Sequence, residues 1–135
     1  MDKIEHIGIA VSNLEASNSL FSKLLGKEPY KIETVESEGV RTSFFQVGEV
    51  KIELLEATRP DSPIAKFIEK KGEGIHHIAF AVRDIEQVIE QKQSNGFTMI
   101  NPLPKDGADN KRIAFIHPKS TNGVLVEMCQ DKEKI

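Results

Sequence analysis

The chain has 135 residues, enough for one compact domain or two half-domains sharing a core. A hydrophobic fraction of 39% with 29% charged residues fits a soluble globular protein, and a net charge of −3 argues against nucleic acid as the main partner. The single cysteine, Cys129, excludes an internal disulfide; its apolar setting, "GVLVEMCQ", points to a buried, inert thiol.

The first strand is expected at "IEHIGIAV" (4–11) and a helix at "LEASNSLFSKLLG" (14–26), where Leu14, Leu20, Phe21, Leu24 and Leu25 recur with helical spacing. Asn13 reads as its N-cap and Gly26 as its stop. Strands follow at "YKIETVE" (30–36), the weakest signal, then at "TSFFQVG" (42–48) and "KIELLEA" (51–57). A connecting helix is expected over 62–72, with Ser62 as cap, Pro63 at the first helical position and Gly72 as stop.

The pattern then starts again. Shifted by 71 places, "IEHIGIAVSNLE" (4–15) aligns with "IHHIAFAVRDIE" (75–86), and six of the twelve positions are identical, His6 and His77 among them. A second helix follows at "IEQVIEQKQSNG" (85–96), with Asp84 as cap and Gly96 as stop. Then come strands at "FTMINP" (97–102, weak), "RIAFIHP" (112–118) and "GVLVEMCQ" (123–130). Each half reads β-α-β-β-β: module 1 over about 1–58 and module 2 over about 73–131, within a single domain spanning 1–135. Only the terminal "DKEKI" (131–135) reads as disordered. No stretch is long or apolar enough to cross a bilayer, and the N-terminus lacks a signal-peptide pattern, so no membrane partner and a cytoplasmic location are expected.

Strand alternation assigns faces. Ile7, Ile9 and Val11 share one face and can pack on a helix; His6, Gly8 and Ala10 share the other. In the second copy Ile78, Phe80 and Val82 oppose His77, Ala79 and Ala81. Each histidine thus stands among small residues on a face with room for something else. The closing strands match as well: "KIELLE" aligns with "LVEMCQ", so Glu53 corresponds to Glu127. A carboxylate inside an apolar run is costly unless paired, hydrogen-bonded or metal-bound. Two imidazoles and two carboxylates suit a divalent first-row metal such as cobalt, manganese, nickel, zinc or iron. His76 competes with His77, but the repeat register favours His77, since Glu5 aligns with His76. His117 has no counterpart in the first repeat and suits a local hydrogen bond or a place at a ligand's edge.

"IEHIGIAV", "KIELLEATRPDSPIAKFIEKKGEGIHHIAFAV" and "IAFIHPKSTNGVLVEMCQ" occur in order and nearly span the chain. Together they resemble the vicinal oxygen chelate superfamily and, within it, the methylmalonyl-CoA epimerase family. The resemblance implies an α+β fold: two tandem βαβββ modules forming a cupped mixed sheet, helices on its outer face. It also implies a homodimer, a small-molecule acyl-CoA substrate and a divalent metal held by His6, Glu53, His77 and Glu127. The implied activity interconverts (2R)- and (2S)-methylmalonyl-CoA by α-proton abstraction through a metal-chelated enolate.

Such a reaction wants a proton-transfer group on each face of the α-carbon. Glu127 matches a carboxylate the family is thought to use. Some members place a second glutamate where this chain has Thr42, and glutamine where it has Glu53; threonine is no general base at neutral pH. Glu53 is therefore the expected second base, with Glu38 or water as the fallback. For the CoA phosphates or the substrate carboxylate the candidates are Lys66, Lys70, Lys71, Lys111, Arg112 and Lys119, with Arg112 and Lys119 ranked first because they flank the last two strands. The rival readings are a glyoxalase I-like lyase acting on a glutathione hemithioacetal and a metal-free small-molecule-binding protein. An extradiol dioxygenase fits less well, since it needs a 2-His-1-carboxylate iron site.

Overall fold

The computed structural model describes residues 1–132. By internal packing the chain forms two compact units: His6–His76, and Met1–Glu5 together with the chain from His77 onward.

In the first unit strand β1 (Lys3–Ala10, entering from Lys3–Glu5) leads to helix α1 (Leu14–Leu25), then β2 (Lys31–Val35), β3 (Val40–Val47), β4 (Val50–Ala57) and helix α2 (Pro63–Lys71). The strand order is β2-β3-β4-β1, with β1 parallel to β4 and the other pairs antiparallel. The helix starts where the sequence marks it. The Asn13 side chain accepts from the Ala16 N–H at 3.0 Å, and Gly26 ends the helix at φ 70°, a left-handed conformation that favours glycine. The Leu14 N–H, an orphan of the first turn, donates to Glu56 on β4 at 2.8 Å. Ile9, Val11, Phe45 and Leu54 pack on Leu14, Phe21 and Leu25 of α1. Burying each large side chain there stabilises by about 1.5–3 kcal/mol. On the opposite face Ala10, Val40 and Leu55 pack on Ile64, Phe67 and Ile68 of α2. The connecting helix therefore covers one end of the face that α1 leaves open.

The second unit repeats this plan with β5 (Gly74–Ala81, entering from Gly74–His76), α3 (Ile85–Ser94), β6 (Lys105–Asp106), β7 (Lys111–Ile116) and β8 (Val126–Asp131) in the order β5-β8-β7-β6. Asp84 caps α3 by accepting from the Gln87 N–H at 3.2 Å. The Ile85 N–H donates to Gln130 on β8 at 2.7 Å, as Leu14 does to Glu56. Val82, Ile85, Ile89, Ala114, Ile116 and Met128 form the core beneath α3. Cys129 is buried, and its Sγ lies 3.5 Å from the Phe80 carbonyl.

Three expectations need correction. The segment 97–102 is not a strand: it joins β7 through one isolated bridge, Met99 with Ile116, and through the Ile100 N–H to Phe115 C=O bond at 2.8 Å. Pro102 and Pro104 lack the N–H a ladder needs, and the second strand of this module is the two-residue β6 beyond them. Helix α3 is capped by Asn95, one residue before the expected Gly96. Of the terminal "DKEKI", Asp131 closes β8 opposite Lys111, and residues 133–135 lie outside the described residues.

Candidate metal centre

In the first unit His6 on β1 and Glu53 on β4 are both buried, at 4% and 5% exposure. Parallel pairing sets Gly8, which carries no side chain, opposite Glu53. His6 Nδ1 lies 3.1 Å from Glu53 Oε2. On the far side of Glu53 its register partner is Phe44, fully buried, and two residues away on the same face of β3 is Thr42, also buried.

The second unit has the same parts. His77 on β5 and Glu127 on β8 are each 5% exposed, with Nε2 3.2 Å from Oε1. Ala79 is opposite Glu127 on one side and Phe115 on the other, and the Phe115 ring meets His77 edge-on at 6.0 Å. Each unit thus holds a buried imidazole–carboxylate pair beside a small residue and against a phenylalanine. Burying a carboxylate is tolerated when a cation or donor answers it. Donor atoms about 3 Å apart also have the separation of neighbouring ligands on an ion with bonds of about 2.1 Å. In chemistry and spacing, each pair fits half of a metal's ligand set.

Several other candidates have partners of their own. Arg112, at an even position of β7, shares a face with Ala114 and Ile116, which pack beneath α3, and forks onto Glu86 at 3.0 and 3.1 Å. Those hydrogen bonds hold the Glu86 carboxyl below its ordinary value and raise the guanidinium's. His117 caps the single turn Pro118–Ser120, its Nδ1 accepting from the Lys119 N–H at 3.0 Å. Lys111 lies 3.8 Å from buried Glu5 and also meets Asp131. Lys71 lies over the Phe67 ring at 5.8 Å, and His76 meets the same ring edge-on. Glu38 sits in the short turn Glu36–Glu38. Sequence reasoning missed Phe44 and Phe115, though they stand 71 residues apart in matching positions.

Residues 5–115 match the model of the Glyoxalase/Bleomycin resistance protein/Dioxygenase superfamily. An uncharacterized Bacillus subtilis protein, YqjC, is 43% identical over 132 residues, covering 98% of this chain and 94% of the relative. The mitochondrial methylmalonyl-CoA epimerase of Dictyostelium discoideum is 39% identical over 127 residues, covering 93% and 76%. Among solved structures, a variant of Streptomyces coelicolor methylmalonyl-CoA epimerase in complex with 2-nitronate-propionyl-CoA superimposes with a TM-score of 0.93 at 34% identity, covering 97% and 95%.

Proposed function

The chain belongs to the Glyoxalase/Bleomycin resistance protein/Dioxygenase superfamily, and from that membership we propose that it is a metal-dependent epimerase interconverting (2R)- and (2S)-methylmalonyl-CoA. The observation that carries the reading is the matched pair of buried His–Glu contacts, His6–Glu53 and His77–Glu127, one in each repeat. His6, Glu53, His77 and Glu127 are the proposed ligands of one divalent ion, two from each module. When bound, the ion would supply a Lewis acid for the substrate oxygen on which negative charge develops.

The chain's own groups do the rest. The α-proton is removed on one face of the carbon and a proton is returned on the other. Glu127 and Glu53 occupy equivalent positions in the repeat, so each serves one face, one as base while the other is acid, and they exchange roles with direction. Thr42 stands on the same strand face as Phe44 and has no carboxylate to offer, which leaves this duty to Glu53. Both pairs are buried, so the proposed proton-transfer groups are themselves shielded from bulk water.

The test is α-proton exchange of methylmalonyl-CoA in deuterated water, run on metal-stripped and metal-reconstituted protein, with a glutathione hemithioacetal as comparison substrate. Exchange with methylmalonyl-CoA that depends on added metal is expected. Turnover of the hemithioacetal alone would move the chain to the lyase branch of its superfamily, and activity indifferent to metal would remove the ion from the mechanism.

A further inference from the structure

Phe44 lies on the face that carries Glu53, yet it is fully buried. Two side chains from the neighbouring chain segment meet its ring. Tyr30 lies against it at 5.8 Å between centroids, and the Lys31 ammonium stands over it at 5.0 Å. Lys31 Nζ also lies 3.3 Å from Glu33 Oε1, so a ring fixes the ammonium from below and a carboxylate fixes it from the side.

The register gives this arrangement its direction. Lys31 pairs with Phe44, and Phe44 pairs with Glu53, so the three residues form one row across β2, β3 and β4. Two strand spacings put the Lys31 backbone about 10 Å from that of Glu53, and the ammonium stands over Phe44, the residue between them in the row. An ammonium has three donors, so Glu33 and an arriving anion can share it. A cation already held by a ring and a carboxylate has less rotamer freedom to lose on binding, so beside a proposed ligand row it suits a negative group.

We propose that Lys31 binds an anionic group of the acyl-CoA substrate and that Glu33 is the positioning residue that aims it. This rests on the epimerase reading and deepens it by naming a specificity determinant. The anion is the free carboxylate of the acyl group or a phosphate of the CoA arm; the chemistry is shared, and substrate truncation separates the two.

The experiment compares wild type with Lys31→Met, Lys31→Arg and Glu33→Gln, using methylmalonyl-CoA and the methylmalonyl thioester of N-acetylcysteamine, which lacks phosphates. Thermal melting of each variant confirms that it is folded. Lys31→Met is expected to lower kcat/KM about tenfold or more, mainly through KM, as loss of a charge-assisted contact does. Lys31→Arg should retain most of the activity, and Glu33→Gln should raise KM by a smaller factor with kcat nearly unchanged. A loss on both substrates assigns the acyl carboxylate, and a loss on the CoA thioester alone assigns a phosphate. Unchanged kcat/KM on both in Lys31→Met overturns the proposal while leaving the epimerase reading intact. Calorimetric titration with methylmalonyl-CoA separates the remaining cases. If wild type shows no exchange but binds, and Lys31→Met weakens binding, the epimerase reading fails and the Lys31 contact stands. If nothing binds, both fall.

Discussion

The inner strands of the two modules are close copies, and the outer ones are not. β1 and β5 each bring a histidine and a small residue, β4 and β8 each bring a glutamate, and β3 and β7 each bring the phenylalanine opposite it. The outermost strand is five residues in one module and two in the other. The five-residue β2 carries Lys31 and Glu33, with Tyr30 just ahead of it, against Phe44, whereas β6 has only Lys105 and Asp106 to set beside β7. The lesson concerns division of labour. The positions proposed as ligands stay symmetric, while asymmetry gathers at the outer strand, where the proposed substrate, itself unsymmetrical, would be told one end from the other.

The comparison can be broken first at the carboxylates. Glu127→Gln and Glu53→Gln are each expected to slow α-proton exchange about 100-fold or more, the range for loss of a proton-transfer group. If Glu53→Gln binds metal and keeps full epimerisation in both directions, the two glutamates are not equivalent in role. The histidines come next: His6→Ala and His77→Ala should lower bound metal to a similar degree by elemental analysis, about 10-fold or more in affinity. A large difference would show one module to be the principal anchor. The helix caps follow. Asn13→Ala and Asp84→Ala should each cost about 1 kcal/mol in chemical denaturation. The smallest effect concerns a feature of one module alone. Arg112→Gln should let the Glu86 carboxyl rise toward its ordinary value in an NMR titration. Because the folded carboxyl is held low, this ion pair stabilises at neutral pH. Its contribution is lost as pH falls through the lowered value, and the variant should lack that acid-side dependence.

Much of this organisation was legible in the chain. The 71-residue repeat is legible as residue identity, the caps Asn13, Asp84 and Ser62 as side-chain chemistry, Glu53 as the counterpart of Glu127, and the face of His6 as strand alternation. Arg112 shows what a flanking position omits: ranked first for substrate, it lies at an even position of β7 and turns toward Glu86. The segment 97–102 shows another gap. Its apolar residues look like a strand, but the prolines beyond them leave only one bridge and scattered hydrogen bonds beside β7. Lys31 was illegible for a different reason. Nothing local in "YKIETVE" marks it; its importance comes from the ring two strands' pairing places beneath it.

Glu53 and Glu56 sit three apart on β4, so their side chains leave opposite faces: one meets His6, the other receives the Leu14 N–H. Gln130 repeats this beside Glu127. A one-residue slip of either strand would send both of its side chains to the wrong faces at once, unmooring the helix as it displaced the proposed ligand. The strands of the proposed ligands are thus held in register by the helix starts they bind, with or without the ion. Loading with metal should therefore be a fast capture by a folded protein, with little change in its unfolding cooperativity when the metal is withdrawn.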